Sequence, residues 1–394
     1  MKFFRTIRRI ACLTAAMAVL TSACLAEDPY EVAQDAFEIA EEGLNLTEGL
    51  SVYYPVLTGS AGKEVAEQVN TLIQEKCRIR EYITRMPLLL SGGSLKAEWK
   101  GGLLNDVFSC AVSASGAVED TRPTHVWTAV SADLRDGHEI TFGELFTDAD
   151  AARETIQAYL EETVAPELSA HLQNSELTPL PEKFYLEQSG IMLLYPVEQL
   201  STLSDRAGDI RIGWNVVKDE LNLNEDGIPA RIGAQDIIAL TVRGAERLRA
   251  DAAEGRMTDI PAIIGDSVQE MTDRYHMLTD WDGIEDGRLF ALEGGCFRGV
   301  YLMTDNLTKD WKDSKVQGIR MDQGCLWGLS PGETRRTEWL SVLGEPDGSA
   351  EIDADKAEAN RLVPGICDYY RCGDYLLQLY SDEDGTLVSV MLTE

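Results

Sequence analysis

Eight cysteines and four histidines are the side chains best suited to chemistry in this 394-residue chain. The cysteines are Cys12, Cys24, Cys77, Cys110, Cys296, Cys325, Cys367 and Cys372. No Cys-x-x-Cys occurs and no Cys/His set has zinc spacing, so they point to disulfides or free thiols rather than to a metal. Cys77 lies in a helix-like segment and Cys110 in a strand-like segment of the same half, which allows those two to pair. Cys367 and Cys372, on one strand, would be ~16 Å apart at ~3.3 Å per residue. A disulfide tolerates less than ~7 Å between Cα atoms. If all four cysteines of the second half are oxidised, each of these two must therefore reach Cys296 or Cys325.

The histidines are His125, His138, His171 and His276, and none belongs to a His-Glu-x-x-His motif. His125 opens a strand ahead of Trp127 and reads as a hydrogen-bonding residue, with no recognisable nucleophile beside it. His138 follows the Asp136-Gly137 turn and reads as solvated. No P-loop motif occurs. Acidic residues are so numerous that no glycosidase-type pair stands out. Asp280-Trp281-Asp282-Gly283 begins like a calcium loop, but Ile284 and Ala291 fall where oxygen ligands are required. It reads as an acidic turn. No catalytic residue, metal site or cofactor is assigned, and the chain reads as a binding protein rather than an enzyme.

Asp and Glu number 67 against 35 Lys and Arg, for a formal net charge of -32. That excess excludes a phosphate-neutralising nucleic-acid surface and a polybasic lipid-binding patch. It suits a cationic partner. The positive charge that exists is partly concentrated at the start. Lys2, Arg5, Arg8 and Arg9 precede an apolar run from Ile10 to Leu20, the pattern of an export signal. Leu20-Thr21-Ser22-Ala23-Cys24 then resembles the lipobox of bacterial lipoproteins, which implies cleavage before Cys24 and lipidation of its thiol. The alternative is cleavage after Ala26 and a secreted chain. Loss of residues 1–23 removes four cations and no acid, so the exported chain is the more acidic one.

The elements that must position these residues follow from hydrophobic spacing. Residues 24–44 are acidic and read as a tether. A first domain, 45–223, has a strand from Leu50 and a helix from Lys63 to Thr84. Three strand-like runs at 94–101, 106–115 and 125–134 come next. A helix over 150–172 and three short strands complete the domain. Residues 224–257 read as a helical bridge. The second domain, 258–394, shows self-similarity: a helix and three strands, repeated at a period of roughly 65–70 residues. Hairpin turns are expected at Gly294-Gly295 and at Cys372-Gly373. The fold class is α+β, with antiparallel sheets and helices on one face, the second domain being a tandem helix-strand-strand-strand repeat. In its last hairpin Tyr375, Leu377 and Leu379 face the helices, leaving Tyr369, Arg371, Gln378 and Tyr380 on an open face suited to binding.

Two resemblances add to this. The first rests on Tyr54-Pro55-Val56-Leu57-Thr58-Gly59 followed by Val69-Asn70, then His125, Asp133-Leu134-Arg135-Asp136-Gly137 and Gly143-Glu144-Leu145-Phe146. Phe184-Tyr185-Leu186, Gly190-Ile191 and Tyr195-Pro196 continue the order up to the Ile210–Trp214 strand. Residues 50–222 thereby resemble the extracellular domain of lysozyme-sensing anti-sigma factors of Firmicutes, a module that also precedes some peptidoglycan deacetylases. The second rests on Trp327-Gly328-Leu329-Ser330-Pro331-Gly332-Glu333, Leu343-Gly344-Glu345-Pro346-Asp347 and Gly373-Asp374-Tyr375-Leu376-Leu377. Residues 258–394 look like the tandem repeat of beta-lactamase inhibitor proteins. Together the resemblances imply a lipid-anchored protein on the outer face of a Firmicutes-like cytoplasmic membrane. It would recognise a protein or cell-wall ligand, for instance a cationic lysozyme-type enzyme. The alternatives are an enzyme acting on peptidoglycan and an accessory subunit of an envelope complex.

Overall fold

A computed structural model describes residues 37–59, 62–117, 124–168, 180–195, 209–274, 281–285, 287–292 and 299–394. Cys24, Cys296, His171, His276 and the expected Gly294-Gly295 turn lie outside them.

The first sheet runs β1 (Glu38–Thr47), β2 (Leu50–Thr58), β3 (Leu95–Leu104), β4 (Val107–Gly116) and β5 (Thr124–Asp133), in that spatial order. The acidic residues 38–44, read as tether, are instead most of β1. They pair with β2 from Glu38↔Thr58 onward. Their side chains carry no hydrophobic alternation because β1 is an edge strand, exposed along most of its length. Neighbours are antiparallel except β2 and β3, which run parallel from Leu50↔Leu95 to Val52↔Ala97. A parallel pair needs a long crossover, and two helices supply it: α1 (Lys63–Lys76) and α2 (Ile79–Arg85). The single helix expected over 63–84 breaks at Arg78, which takes φ 58°. Val69, Ile73, Ile79 and Tyr82 pack against Leu50, Val52, Leu95 and Phe108 on one face of the sheet.

The opposite face of β4 and β5 meets a small antiparallel sheet of β6 (Phe184–Glu187), β7 (Gly190–Leu194) and β8 (Asp209–Gly213). Ala111, Tyr185, Met192 and Leu194 fill that contact. α3 (Ala149–Tyr159) is held at its start by Asp148, whose carboxylate accepts from the N–H groups of Asp150 and Ala151.

The expected bridge holds α4 (Ile228–Arg231), α5 (Ala234–Ile238) and α6 (Val242–Ala253). Ile228, Ile232, Ile237, Ala245, Leu248 and Ala252 are buried there. They share one continuous core with Val107 and Trp214 on one side and Trp339, Leu377 and Leu392 on the other.

After α7 (Val268–Arg274), the second half forms one eight-stranded antiparallel sheet. Its strands are β9 (Asp282–Ile284), β10 (Gly287–Ala291), β11 (Val300–Asp305), β12 (Gly318–Met321), β13 (Gly348–Ile352), β14 (Gly365–Cys372), β15 (Tyr375–Asp382) and β16 (Leu387–Thr393). Two helices interrupt the run, α8 (Arg336–Leu343) and α9 (Ala354–Ala359). The spatial order is β13-β14-β15-β16-β12-β11-β10-β9. Each repeat is thus a four-strand meander, and the last strands of the two meet at the seam, Ile319 opposite Leu392. The acidic Asp282-Gly283 turn is part of the outer strand β9. The last hairpin turns at Gly373-Asp374, one residue later than expected, with Cys372 opposite Tyr375. Gly373 takes φ 63° there, the conformation a first turn residue of type II′ requires.

Candidate functional site

One stretch of the first resemblance, Asp133 to Gly137, meets Glu144 and His138 in a corner at the end of β5. Asp133 is buried and accepts from Arg231 through Nη1 at 2.6 Å and Nη2 at 2.8 Å. It also accepts from the N–H of Arg135 at 2.9 Å and from Arg135 Nη2 at 3.0 Å. Burial would raise its pKa, but the hydrogen bonds from Arg231 and Arg135 outweigh it and hold the carboxyl well below the usual range. Arg231 forks onto a second carboxylate, Asp106, at 2.7 Å. Asp106 and Asn105 form the β3–β4 turn, and the Asn105 amide donates to the Arg231 carbonyl at 2.7 Å. Asn105 takes φ 56°, a conformation Asn tolerates. One arginine of α4 therefore ties that turn to the end of β5. Sequence reasoning missed it, because nothing local marks a partner 98 residues away.

His138 sits beside this network. Nδ1 lies 2.6 Å from Asp136 Oδ1 and Nε2 lies 2.8 Å from Glu144 Oε1. Both partners are carboxylates, so the ring satisfies both only by donating from both nitrogens, as imidazolium. The Asp136 hydrogen bond raises its pKa, burial opposes this in part, and Glu144 adds to the rise. Glu144 also caps the turn after Thr141, accepting from its N–H and hydroxyl at 2.7 Å each. Gly137, at φ 81°, lies so close to α1 that a Cβ would come 2.4 Å from Gln68 Oε1. Potential ligand atoms of Asp133, Asp136 and His138 lie within 4.8 Å of one another. A divalent ion here would have to displace two guanidinium groups from Asp133, so the corner is organised as an ion-pair network. His125 hydrogen-bonds Ser113 Oγ at 2.6 Å across β4 and β5, with its ring 5.6 Å from that of Trp127.

The phrase Trp327-Gly328 of the second resemblance docks onto α5 and α6. Trp327 is buried at φ 51°, and its Nε1 donates to Thr258 Oγ1 at 2.8 Å. Gly328 donates to the Ile237 carbonyl at 2.7 Å, and a Cβ there would fall 2.1 Å from Leu240 N. On the sheet, Asp368 is fully buried and accepts from Arg336 Nε and Nη2 at 2.8 Å each, from Ser349 Oγ at 2.6 Å and from Trp339 Nε1 at 3.2 Å. These contacts fix α8 against β14.

Where the β3–β4 turn, α5, α6 and Trp327 meet, a polar cleft of about 110 Å³ opens, lined by Asn105, Gln188, Asp236, Arg243, Arg247 and Trp327 among others. Arg243 lies 3.5 Å from Asp236. The volume suits a few waters and falls short of the ~300 Å³ at which organic-ligand sites begin.

The five described cysteines are thiols. Cys77 and Cys110 share the helix-side core, and the neighbouring Cys77 thiol together with burial pushes Cys110 well above its usual range. Cys325 Sγ donates to the Ile237 carbonyl at 3.0 Å. Cys367 and Cys372 occupy opposite faces of β14, Cys372 in the main core and Cys367 in a small outer cluster with Tyr380 and Met391. Burial raises Cys367 to about 12.

Tyr369, Arg371, Gln378 and Tyr380 do share the sheet face away from Leu377 and Leu379, with Tyr369 opposite Gln378. That face is partly closed. Residues 348–362, where no element is expected from the sequence, fold as β13 and α9 and bring Ile352 and Leu362 over Tyr380. Tyr380 is 1% exposed and donates to the Val363 carbonyl at 2.7 Å. Tyr369 lies across Gly348, and Gln378 Nε2 donates to Thr393 Oγ1 at 2.8 Å. Arg371 alone of the four is exposed.

A more accessible surface lies on the first sheet. Among the described strands, β1 is an edge of the first sheet, with Glu38, Glu41 and Glu42 exposed along it and Glu48 at its turn. Tyr54 donates to Glu42 at 3.0 Å and Trp99 Nε1 to Glu41 at 2.8 Å, which sets two of these carboxylates in place. Among the described residues, no helix is long and apolar enough to cross a membrane.

The sequence matches no protein-family model and no curated protein. Solved structures similar to part of it include a DUF3298-family protein of Bacteroides fragilis, 15% identical, covering 51% of this chain and 98% of that one at a TM-score of 0.38. A DUF3298-family protein of Pseudomonas aeruginosa is 10% identical over 47% of this chain and 94% of its own, at a TM-score of 0.34. A DUF4309-family protein of Bacillus subtilis is 15% identical over 39% and 97%, at a TM-score of 0.29. Each likeness is partial, and none assigns the chain to a family.

Proposed function

We propose that this is an exported, lipid-anchored envelope protein that binds a cationic protein partner, of the lysozyme type, through the acidic edge of its first sheet. The observation that carries the proposal is the exposed row of Glu38, Glu41, Glu42 and Glu48 on and beside β1. An edge strand offers unpaired backbone groups to a partner, and its carboxylates attract a basic one from beyond contact distance. The overall excess of acid, 67 against 35, acts in the same direction. The anchor would be the Cys24 lipid, since the acidic surface has no attraction for anionic head groups.

The test is association of the mature chain with immobilised hen lysozyme, with purified peptidoglycan as a second arm. Lysozyme binding should slow by about tenfold in association rate between low and high salt. Glu38→Lys with Glu48→Lys should reproduce that loss without unfolding the chain. Binding to peptidoglycan alone would replace the protein partner by a cell-wall ligand. Binding to neither would remove the proposal. Palmitate labelling lost in Cys24→Ala checks the anchor.

A further inference from the structure

The inward face of β4 carries the buried Cys110, and the end of α1 carries the buried Cys77 in the same core. Cys77 closes α1, its N–H donating to the Ile73 carbonyl at 3.0 Å. Its own carbonyl lies 3.5 Å from Thr128 Oγ1, which is also 3.3 Å from the Val112 carbonyl. Thr128 stands opposite Val112, and Val130 stands opposite Cys110. Cys110 and Val112 are two residues apart on one strand, so their side chains point to the same side, and both join the helix-side core with Cys77. The end of α1 is thus docked on the rung next to Cys110. The other described cysteines are engaged elsewhere: Cys325 with the Ile237 carbonyl, Cys367 with Gln378 Oε1 at 3.5 Å, and Cys372 in the main core.

We propose that Cys77 and Cys110 are joined by a disulfide in the exported protein, and that Cys325, Cys367 and Cys372 remain thiols. The inference rests on the export reading only for its oxidant, a disulfide-bearing oxidoreductase of the envelope or, in solution, oxidised glutathione. One cysteine thiolate attacks the oxidant's disulfide and releases one thiol. The second thiolate attacks the resulting mixed disulfide, forming the Cys77–Cys110 bond and releasing the other thiol. Two electrons pass to the oxidant, and the two cysteine protons end on its thiols.

Burial sets the timing. Both cysteines are 0% exposed in the folded chain, so neither can reach a protein-sized oxidant. The bond must form while α1 is still undocked, and once formed it is shielded from reductant. Folding therefore selects the pair and then locks it.

The experiment maps disulfides without reduction on the full exported chain, alkylated during denaturation. In parallel, the reduced, unfolded chain is refolded in a glutathione redox buffer and mapped the same way. A Cys77–Cys110 peptide in both, with Cys325, Cys367 and Cys372 alkylated, is the expected result. The bridge in the refolded chain with free thiols in the envelope-isolated chain would uphold the pairing and overturn the oxidising-export reading. Free Cys77 and Cys110 in a natively refolded chain, or a bridge from either to another cysteine, would overturn the proposal. The native bridge should also survive millimolar dithiothreitol until urea is added. Ready reduction of the folded chain counts against the shielded geometry.

Discussion

The carboxamide of Asn70 on α1 closes on both backbone groups of Leu57 on β2, accepting from its N–H at 2.7 Å and donating to its C=O at 2.8 Å. Asn70 thereby stands in for a neighbouring strand at the end of β2, beyond the point where β3 stops pairing. Asn70→Ala leaves both groups without a protein partner and should cost about 2 kcal/mol. Asn70→Asp accepts but cannot donate to the carbonyl, and should recover little of the loss. Urea midpoints of the three chains check this.

Arg231 carries two carboxylates at once, and its side chain is 8% exposed beside an Asp133 side chain that is 1% exposed. Replacing it with Met strands a buried charge, which typically costs ~3–5 kcal/mol. Asp133→Asn should cost less in the Arg231→Met background than in the native chain, since the stranded charge is then absent. A double-mutant cycle on unfolding free energies measures the coupling.

The His138 corner should leave a pH signature. His138 is raised chiefly by Asp136, so its gain is full below the unfolded value and vanishes as pH rises through the higher folded one. Asp136 is lowered chiefly by His138, and Glu144 is lowered by Thr141 and His138 in spite of burial. Their gain is present above the unfolded carboxylate values and is lost on acidification. The corner thus contributes most between ~pH 4.5 and ~pH 6.5. His138→Gln should flatten the decline in urea midpoint that the native chain shows from about pH 6 to pH 8.

Tyr380 and Arg371 now separate a packing role from a surface one. Tyr380→Phe loses the bond to Val363 and should destabilise by about 1 kcal/mol. Arg371→Ala lies within ~0.5 kcal/mol of neutral. Thermal unfolding of both variants distinguishes them, and a large loss at Arg371 would contradict the exposed placement.

The two repeats were legible because their strands alternate. Leu377 and Leu379 point inward and Gln378 outward, as spacing alone requires. β13 was not legible, since Gly348-Ser349-Ala350-Glu351-Ile352 has little strand propensity and is held by pairing with β14 and by the Ser349–Asp368 bond. β1 was hidden for a related reason: an exposed edge strand needs no apolar face, and its glutamates imitate a linker. The Asp133-Leu134-Arg135-Asp136-Gly137 motif stood out in the sequence by resemblance. Its chemistry depends on Arg231, whose role no local pattern announces.

The seam of the large sheet has a consequence for how the chain matures. β16 follows every other strand of that sheet in the chain, yet it lies between β15 and β12 and is what unites the two repeats. As the chain emerges from its N-terminal end, the β9–β12 meander can form whole while its β12 edge stays uncovered. That edge is exposed to strand-hungry neighbours until residues 387–393 arrive. Single-file delivery thus makes the last strand a closing key, and stalling just short of it would leave two half-sheets with open edges.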